Sequence, residues 1–333
     1  MGFSAIQGQS QALEILKQAI RHDHLAHGYI FSGPSGVGKK MTAFALAQYI
    51  NCIDQDTEQI ESCGKCPSCI KIDNLEHPDV LVVEPSGSSI KIEQIRLLNS
   101  KAALRAYEGA YKIIILDEAH LMTMEAANSL LKTLEEPVSD TIFILITAQP
   151  QQLPVTILSR CQQIAFKPLS RPILEAILTQ QHPELSSRVG LAAALAQGSA
   201  SRAEELLADD ALSAARSELY GLLGSLTQQA PGELLLWCEK WDKDRKMVRF
   251  LLELMQLWFR DMMIYQTTGE SRQLVNQDQL AAFQKHYETA SLTAACHYAQ
   301  EGLAQLERNV SPRLILEVCL LKSRQALTDG SVK

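Results

Sequence analysis

Gly28-Tyr29-Ile30-Phe31-Ser32 runs directly into Gly33-Pro34-Ser35-Gly36-Val37-Gly38-Lys39-Lys40, and the fold is decided in these thirteen residues. The first five form a short apolar run of the length expected for a buried strand. The next eight match GxxxxGK, with lysine where Ser or Thr is usual. Glycines at such spacing let backbone N–H groups close round phosphate oxygens. The N-terminus of the following helix favours an anion, and Lys39 can reach the terminal phosphates. Strand, glycine-rich turn and helix in that order predict an α/β nucleotide-binding domain, with Gly33, Gly36, Gly38, Lys39 and Lys40 at its phosphate site. The plainer alternative is a tight strand-to-helix turn with no ligand, and an acidic motif further on weighs against it.

Outward from this stretch, helical spacing covers Ser10 to His22 upstream and Met41 to Ile50 downstream. Strands are predicted at Val80–Val83, Ile113–Leu116 and Ile142–Ile146. Between them lie helices at Glu93–Leu104 and Met124–Leu134, the latter stopped by Glu135-Glu136-Pro137. This alternation predicts a parallel sheet covered by helices on both faces. After Pro168 the pattern is helical throughout. The expected division is an α/β domain over 1–167, a small helical domain over 168–208 and a larger helical domain over 209–333, with inter-helix loops at Pro231-Gly232 and Thr267–Glu270.

The acidic motif is Asp117-Glu118-Ala119-His120, at the end of the most apolar strand and expected beside the phosphate loop. Asp117 there can hold magnesium through water, and Glu118 can polarise an attacking water. The same four letters occur in helicases, but the second motor domain those enzymes need is missing. Thr147, ending the next strand, is a candidate sensor of the terminal phosphate. An unremarkable strand threonine is the equal alternative. Lys40 departs from the pattern, because a charged lysine has no lone pair for a metal. Held about 4 Å from a divalent ion, it would repel it by roughly 8 kcal/mol at an effective dielectric near 20. A swing of the side chain into solvent relieves most of that repulsion but does not supply the missing ligand. ATP with magnesium is therefore a possible ligand, bound weakly or not at all, and efficient hydrolysis is not expected.

Four of the eight cysteines fall within eighteen residues, as Cys52-x10-Cys63-x2-Cys66-x2-Cys69. Two successive x2 spacings in a loop with Gly64 and Pro67 can gather four thiolates round one ion. Four sulfurs with no open position suit structural zinc; an iron–sulfur cluster is the alternative with the same donors. Cys161, Cys238, Cys296 and Cys319 sit among apolar neighbours and read as small core residues. Hydrophobic residues make up 46% and charged residues 21% of 333, an ordinary globular composition suggesting two or three domains. No apolar run approaches the roughly 20 residues of a membrane span, and no secretory signal pattern is visible, so a cytoplasmic location is expected. The formal charge of −7 argues against a surface broadly devoted to nucleic-acid phosphates.

Leu153-Pro-Val-Thr-Ile-Leu-Ser159-Arg160-Cys161 places an arginine beyond the core strand at Ile142–Ile146, where it could reach a neighbour's nucleotide. Taken alone, such an arginine is ordinarily a solvated charge. The phosphate loop, the four-cysteine loop just after it, Asn128-Ser-Leu-Leu-Lys-Thr-Leu-Glu-Glu-Pro137 and Ser159-Arg160-Cys161 together resemble the AAA+ family of bacterial DNA polymerase III clamp loaders. The resemblance covers residues 1–205 and, more weakly, Asn309–Leu321. It implies an AAA+ domain with a zinc module at about 52–69, a helical lid and an all-α collar through which subunits form a hetero-pentameric ring. It also implies zinc on Cys52, Cys63, Cys66 and Cys69, and Arg160 acting in trans on the ATP of the adjacent subunit. The implied partners are the motor (gamma/tau) and delta subunits, the sliding clamp, and primer–template DNA through the complex. Lys40, Ser201 where the motor subunit's lid has arginine, and the opening Phe3-Ser-Ala-Ile-Gln-Gly8-Gln9 resemble the stationary member of that family. The intact Asp117-Glu118 keeps an active motor as the alternative, and a free-standing zinc-stabilised nucleotide-binding protein is a third reading.

Overall fold

The computed structural model describes residues 2–137, 140–308 and 310–329. Asn309, which opens the C-terminal segment noted above, lies outside them. The chain divides into two compact units, Met1–Pro183 with Ala196–Ala203, and Glu184–Leu195 with Glu204–Lys333. The stretch 168–208 is shared between the two.

The first unit is built on five strands: β1 (Gly28–Ser32), β2 (Val80–Val83), β3 (Lys112–Leu116), β4 (Thr141–Thr147) and β5 (Gln162–Ala165). All pair in parallel, in the order β2-β3-β4-β1-β5. Alternate side chains serve opposite faces. Tyr29, Phe31, Ile113, Ile115, Ile142, Ile144, Ile146 and Ile164 join one apolar core. Ile30, Ile114, Leu116, Phe143 and Leu145 join the other. Helices α1 (Ser10–Arg21) and α2 (Lys39–Asn51) supply Leu16 and Leu46 to the first core. After the short α3 (Pro67–Asp73), helices α4 (Ile92–Ala102), α5 (Met124–Glu135) and α6 (Val155–Leu158) supply Leu98, Leu130 and Ile157 to the second. Burial on both faces explains why β1, β3 and β4 read as continuous apolar runs. This is the parallel sheet covered on both faces that the sequence predicts, and the AAA+ arrangement that the clamp-loader resemblance implies.

β4 lies between β1 and β3, and Asp117 at the end of β3 still reaches the phosphate loop, 3.0 Å from the Lys40 ammonium. β5 was not anticipated: three of its four residues are exposed and only Ile164 is buried, so no apolar periodicity marks it.

Asp79, just before β2, fixes the loop that leads into β3. It is 1% exposed, and its carboxylate accepts hydrogen bonds from the N–H groups of Tyr107 (2.7 Å), Glu108 (2.9 Å) and Gly109 (2.8 Å). Burial pushes its pKa up, and the three N–H donors outweigh that, leaving it below the usual carboxylate value. Asp79→Ala should cost about 3 kcal/mol of stability at neutral pH, measured by denaturant unfolding. Because the folded pKa is depressed, the carboxylate's contribution is complete above the unfolded value of about 3.9 and lost as pH falls below it. The gap between wild type and Asp79→Asn should therefore narrow in acid.

The chain continues as α7 (Arg171–Gln181), α8 (Ser186–Leu195) and α9 (Ala200–Ala208). Every α or β element among the described residues of the second unit is a helix: α8, the end of α9, α10 (Asp210–Gly224), α11 (Pro231–Cys238), α12 (Arg245–Thr268), α13 (Leu280–Phe283), α14 (Thr289–Glu307) and α15 (Pro312–Asp329). Its core surrounds Trp258, whose ring meets Tyr220 at 4.8 Å and Phe283 at 5.0 Å between centroids. Pro231-Gly232 is not a loop. Pro231 opens α11, where its missing N–H costs nothing, and Glu233 turns back to accept from the Ala230 N–H. Thr267 and Thr268 likewise belong to α12, their hydroxyls donating to the carbonyls four residues back, and Gly269 ends the helix in the left-handed region. Cys161, Cys238 and Cys319 are buried as expected, with Cys296 half-buried. Among the described residues, no helix is long and apolar enough to cross a membrane.

Candidate functional site

At the carboxyl edge of the sheet, β1 delivers the phosphate loop. Gly33 donates its N–H to Thr147 O at 3.1 Å, tying the loop to the end of β4. Gly33 has φ +148°, and a Cβ on it would lie 2.3 Å from Phe166 O, so no other residue fits without shifting backbone. Gly36, at φ +73°, accepts from the Ala200 N–H at 2.8 Å, and a Cβ there would collide with the Ser199 and Ser201 hydroxyls. The start of α9, with Ser199 and Ser201, thus lies directly on the loop. Gly38 (φ +97°) caps α2.

The two lysines differ sharply. Lys39 is buried and its ammonium donates to Gly33 O and Pro34 O, both at 2.5 Å. Burial lowers its pKa, opposed by Glu118 and then Asp117. Lys40 is partly exposed, but its ammonium is not free in solvent. Its ammonium is hydrogen-bonded to Glu84 and lies 3.0 Å from Asp117 Oδ2. Burial works to lower its pKa, but the hydrogen bonds to Glu84 and Asp117 outweigh it, and the ammonium titrates above the ordinary lysine value. These residues do not fit a divalent ion: a cation stands where a ligand oxygen is needed. Glu84 was not singled out in the sequence, and its one signal is an acid immediately after Val80–Val83.

Glu118 sits in the left-handed region at φ 50°, with its carboxylate 3.6 Å from His120 Nδ1. Thr147 is fully buried. Its hydroxyl lies 3.2 Å from His120 Nδ1 and accepts from the Gln149 N–H. His120 therefore joins Glu118 and Thr147, a link invisible in their spacing.

The four clustered cysteines converge. The Sγ atoms of Cys52, Cys63, Cys66 and Cys69 all lie within 4.8 Å of one another, with Cys52 and Cys66 at 4.0 Å. A tetrahedral ion with metal–sulfur bonds of about 2.3 Å sets its sulfurs about 3.8 Å apart, so the four thiols can close round a metal with little movement. N–H groups already point at the sulfurs, Cys63 to Cys52 and Cys66 to Cys63 at 3.3 Å each, and Cys69 to Cys66 at 3.5 Å. Burial pushes the Cys66 thiol up, yet the N–H groups of Cys69 and Ile53 and the neighbouring thiols outweigh it and bring its pKa below the ordinary thiol value.

Arg160 lies elsewhere. Its segment passes the start of β1, where a Cβ on Gly28 would sit 3.7 Å from Arg160 O. The phosphate loop leaves the other end of that strand, about 13 Å away at the usual rise per residue. The guanidinium donates to Glu135 Oε1 at 2.6 Å and to Thr156 O at 2.9 Å. Glu135 belongs to the Asn128–Pro137 motif, and no sequence spacing pairs it with Arg160.

A family profile described as DNA polymerase III, delta subunit, matches residues 8–170, and its C-terminal counterpart matches 211–325. The delta prime subunit of DNA polymerase III from Bacillus subtilis (strain 168) is 32% identical over 319 residues, spanning 94% of this chain and 95% of that one. The tau subunit of the same organism is 28% identical over 98% of this chain and 63% of its own. The Escherichia coli (strain K12) tau subunit is 37% identical, over 54% of this chain and 28% of its own. With near-complete coverage of a delta prime subunit on an AAA+ framework that carries the cysteine cluster, the chain belongs to the family of DNA polymerase III delta prime subunits.

Proposed function

We propose that this chain serves in the DNA polymerase III clamp loader as a stationary ring subunit, lending Arg160 to the ATP site of the adjacent motor subunit while the sliding clamp is placed on primed DNA. The observation that carries this reading is the position of Arg160. It lies at the opposite end of β1 from its own phosphate loop, too far to serve a nucleotide there, and on the margin of the unit. The chain's own site is equipped for little chemistry, with Lys40 engaged by Glu84 and Asp117 and a serine pair where a phosphate-sensing arginine would stand. The cysteine cluster is a structural zinc site in this reading. The gamma/tau and delta subunits, the clamp and, through the assembly, primer–template DNA are its partners, and the cytoplasm is its location. Residues 168–208 are the lid and 209–333 the collar. The Arg160→Ala comparison in the Discussion is the test.

The intact Asp117-Glu118 pair favours one second reading, an active ATPase motor of the same loader. The two readings separate on the isolated chain. A stationary subunit should release phosphate from ATP far below the roughly 1–100 s⁻¹ typical of phosphoryl-transfer enzymes. Turnover in that range by the chain alone would promote the motor.

A further inference from the structure

Glu84 follows β2 and Asp117 follows β3, and the two strands pair with Val83 opposite Leu116. Their carboxylates therefore leave the sheet side by side at its carboxyl edge. Lys40, in the first turn of α2, approaches from the phosphate loop and bridges them, 3.0 Å from Asp117 and hydrogen-bonded to Glu84. Two strand-end acids beside a phosphate loop are half of a divalent-cation cradle, and a side-chain hydroxyl on the helix normally completes it. Here the position of that hydroxyl carries a cation with three donors and no acceptor.

We propose that Lys40 is a built-in replacement for the divalent cation: its ammonium serves as counter-ion to Asp117 and Glu84 and shuts magnesium out of the loop, so that a nucleoside polyphosphate meets this chain only as the metal-free anion. The ammonium has a length of chain sufficient to reach solvent, yet two carboxylates hold it at the edge of the sheet. A magnesium ion entering the cradle would have to displace the ammonium from both acids and then coordinate without the helix oxygen. This inference goes beyond the arginine-donor reading and stands whether or not Arg160 acts in trans.

Manganese tests it, as a paramagnetic probe in place of magnesium. The full chain is titrated with Mn²⁺ and ATP while water-proton relaxation is followed. With wild type, relaxation should not exceed that of Mn²⁺·ATP alone. Lys40→Thr should raise affinity for Mn²⁺·ATP by about tenfold or more, the equivalent of about 1.4 kcal/mol, and adding Asp117→Asn should cancel the gain. Lys40→Ser repeats the test if Lys40→Thr fails to fold. Enhancement by wild type that Asp117→Asn removes would overturn the proposal. So would a folded Lys40→Thr, with its melting temperature retained, that gains no Mn²⁺·ATP affinity.

Discussion

Replacing Arg160 by alanine in a reconstituted loader, with clamp and primed DNA, should abolish most of the hydrolysis at one ATP site while leaving the ring assembled. A cation supplied from a neighbouring subunit neutralises charge developing on the transferred phosphoryl group, and such arginines contribute on the order of a thousandfold or more in rate, about 4 kcal/mol upward. In a ring whose other ATP sites are served by other arginines, the bulk fall in clamp-stimulated ATP hydrolysis and loading should be smaller. The chain itself should fold normally. What Arg160 loses locally is a half-exposed ion pair with Glu135 and two hydrogen bonds within its own turn, and pairs of that kind contribute about 0.2–1 kcal/mol. Single-turnover hydrolysis and loading kinetics provide the readout, with melting temperature and ring assembly as controls. Unchanged kinetics in a ring that assembles would show Arg160 to be an ordinary surface charge.

Removal of zinc should be the most damaging change to the chain's own structure. Elemental analysis should return one zinc per chain. Cys66→Ser, or extraction with a chelator, should cost at least about 4 kcal/mol and lower the melting temperature by roughly 10 °C. Without an ion, four sulfurs within 4.8 Å hold no common counter-charge. Two of them, Cys52 and Cys69, are buried and have thiol pKa values pushed up by that burial. Metal binding needs all four as thiolates, so zinc retention should weaken as pH falls. Cys66 is also the N-cap of α3, its sulfur accepting the Cys69 N–H, so the substitution disturbs a helix start as well as a ligand. A preparation free of zinc, or one containing iron in its place, would refute the assignment.

Much of this protein is a property of chain neighbours and was legible without coordinates. β1, the glycine turn and α2 follow from residue types whose conformational limits act locally. So do the apolar runs of β3 and β4, and a four-cysteine loop whose closely spaced thiols the chain itself keeps near one another. The helical character beyond Pro168 is local in the same sense. The misplaced loop at Pro231-Gly232 shows the limit of such reading, since a proline that ends one helix equally opens the next, and only Glu233 capping Ala230 distinguishes them. Tertiary structure decided the rest. The insertion of β4 between β1 and β3 depends on which apolar faces can be buried together, and β5 is held by pairing to β1 and not by its own pattern. Glu84 meets Lys40, and Glu135 meets Arg160, across 44 and 25 residues of chain. No spacing rule reaches that far, because those contacts exist only once the sheet has fixed the ends of its strands. The separation of Arg160 from the phosphate loop has the same origin: parallel pairing of β5 with β1 sends the two to opposite edges of one sheet.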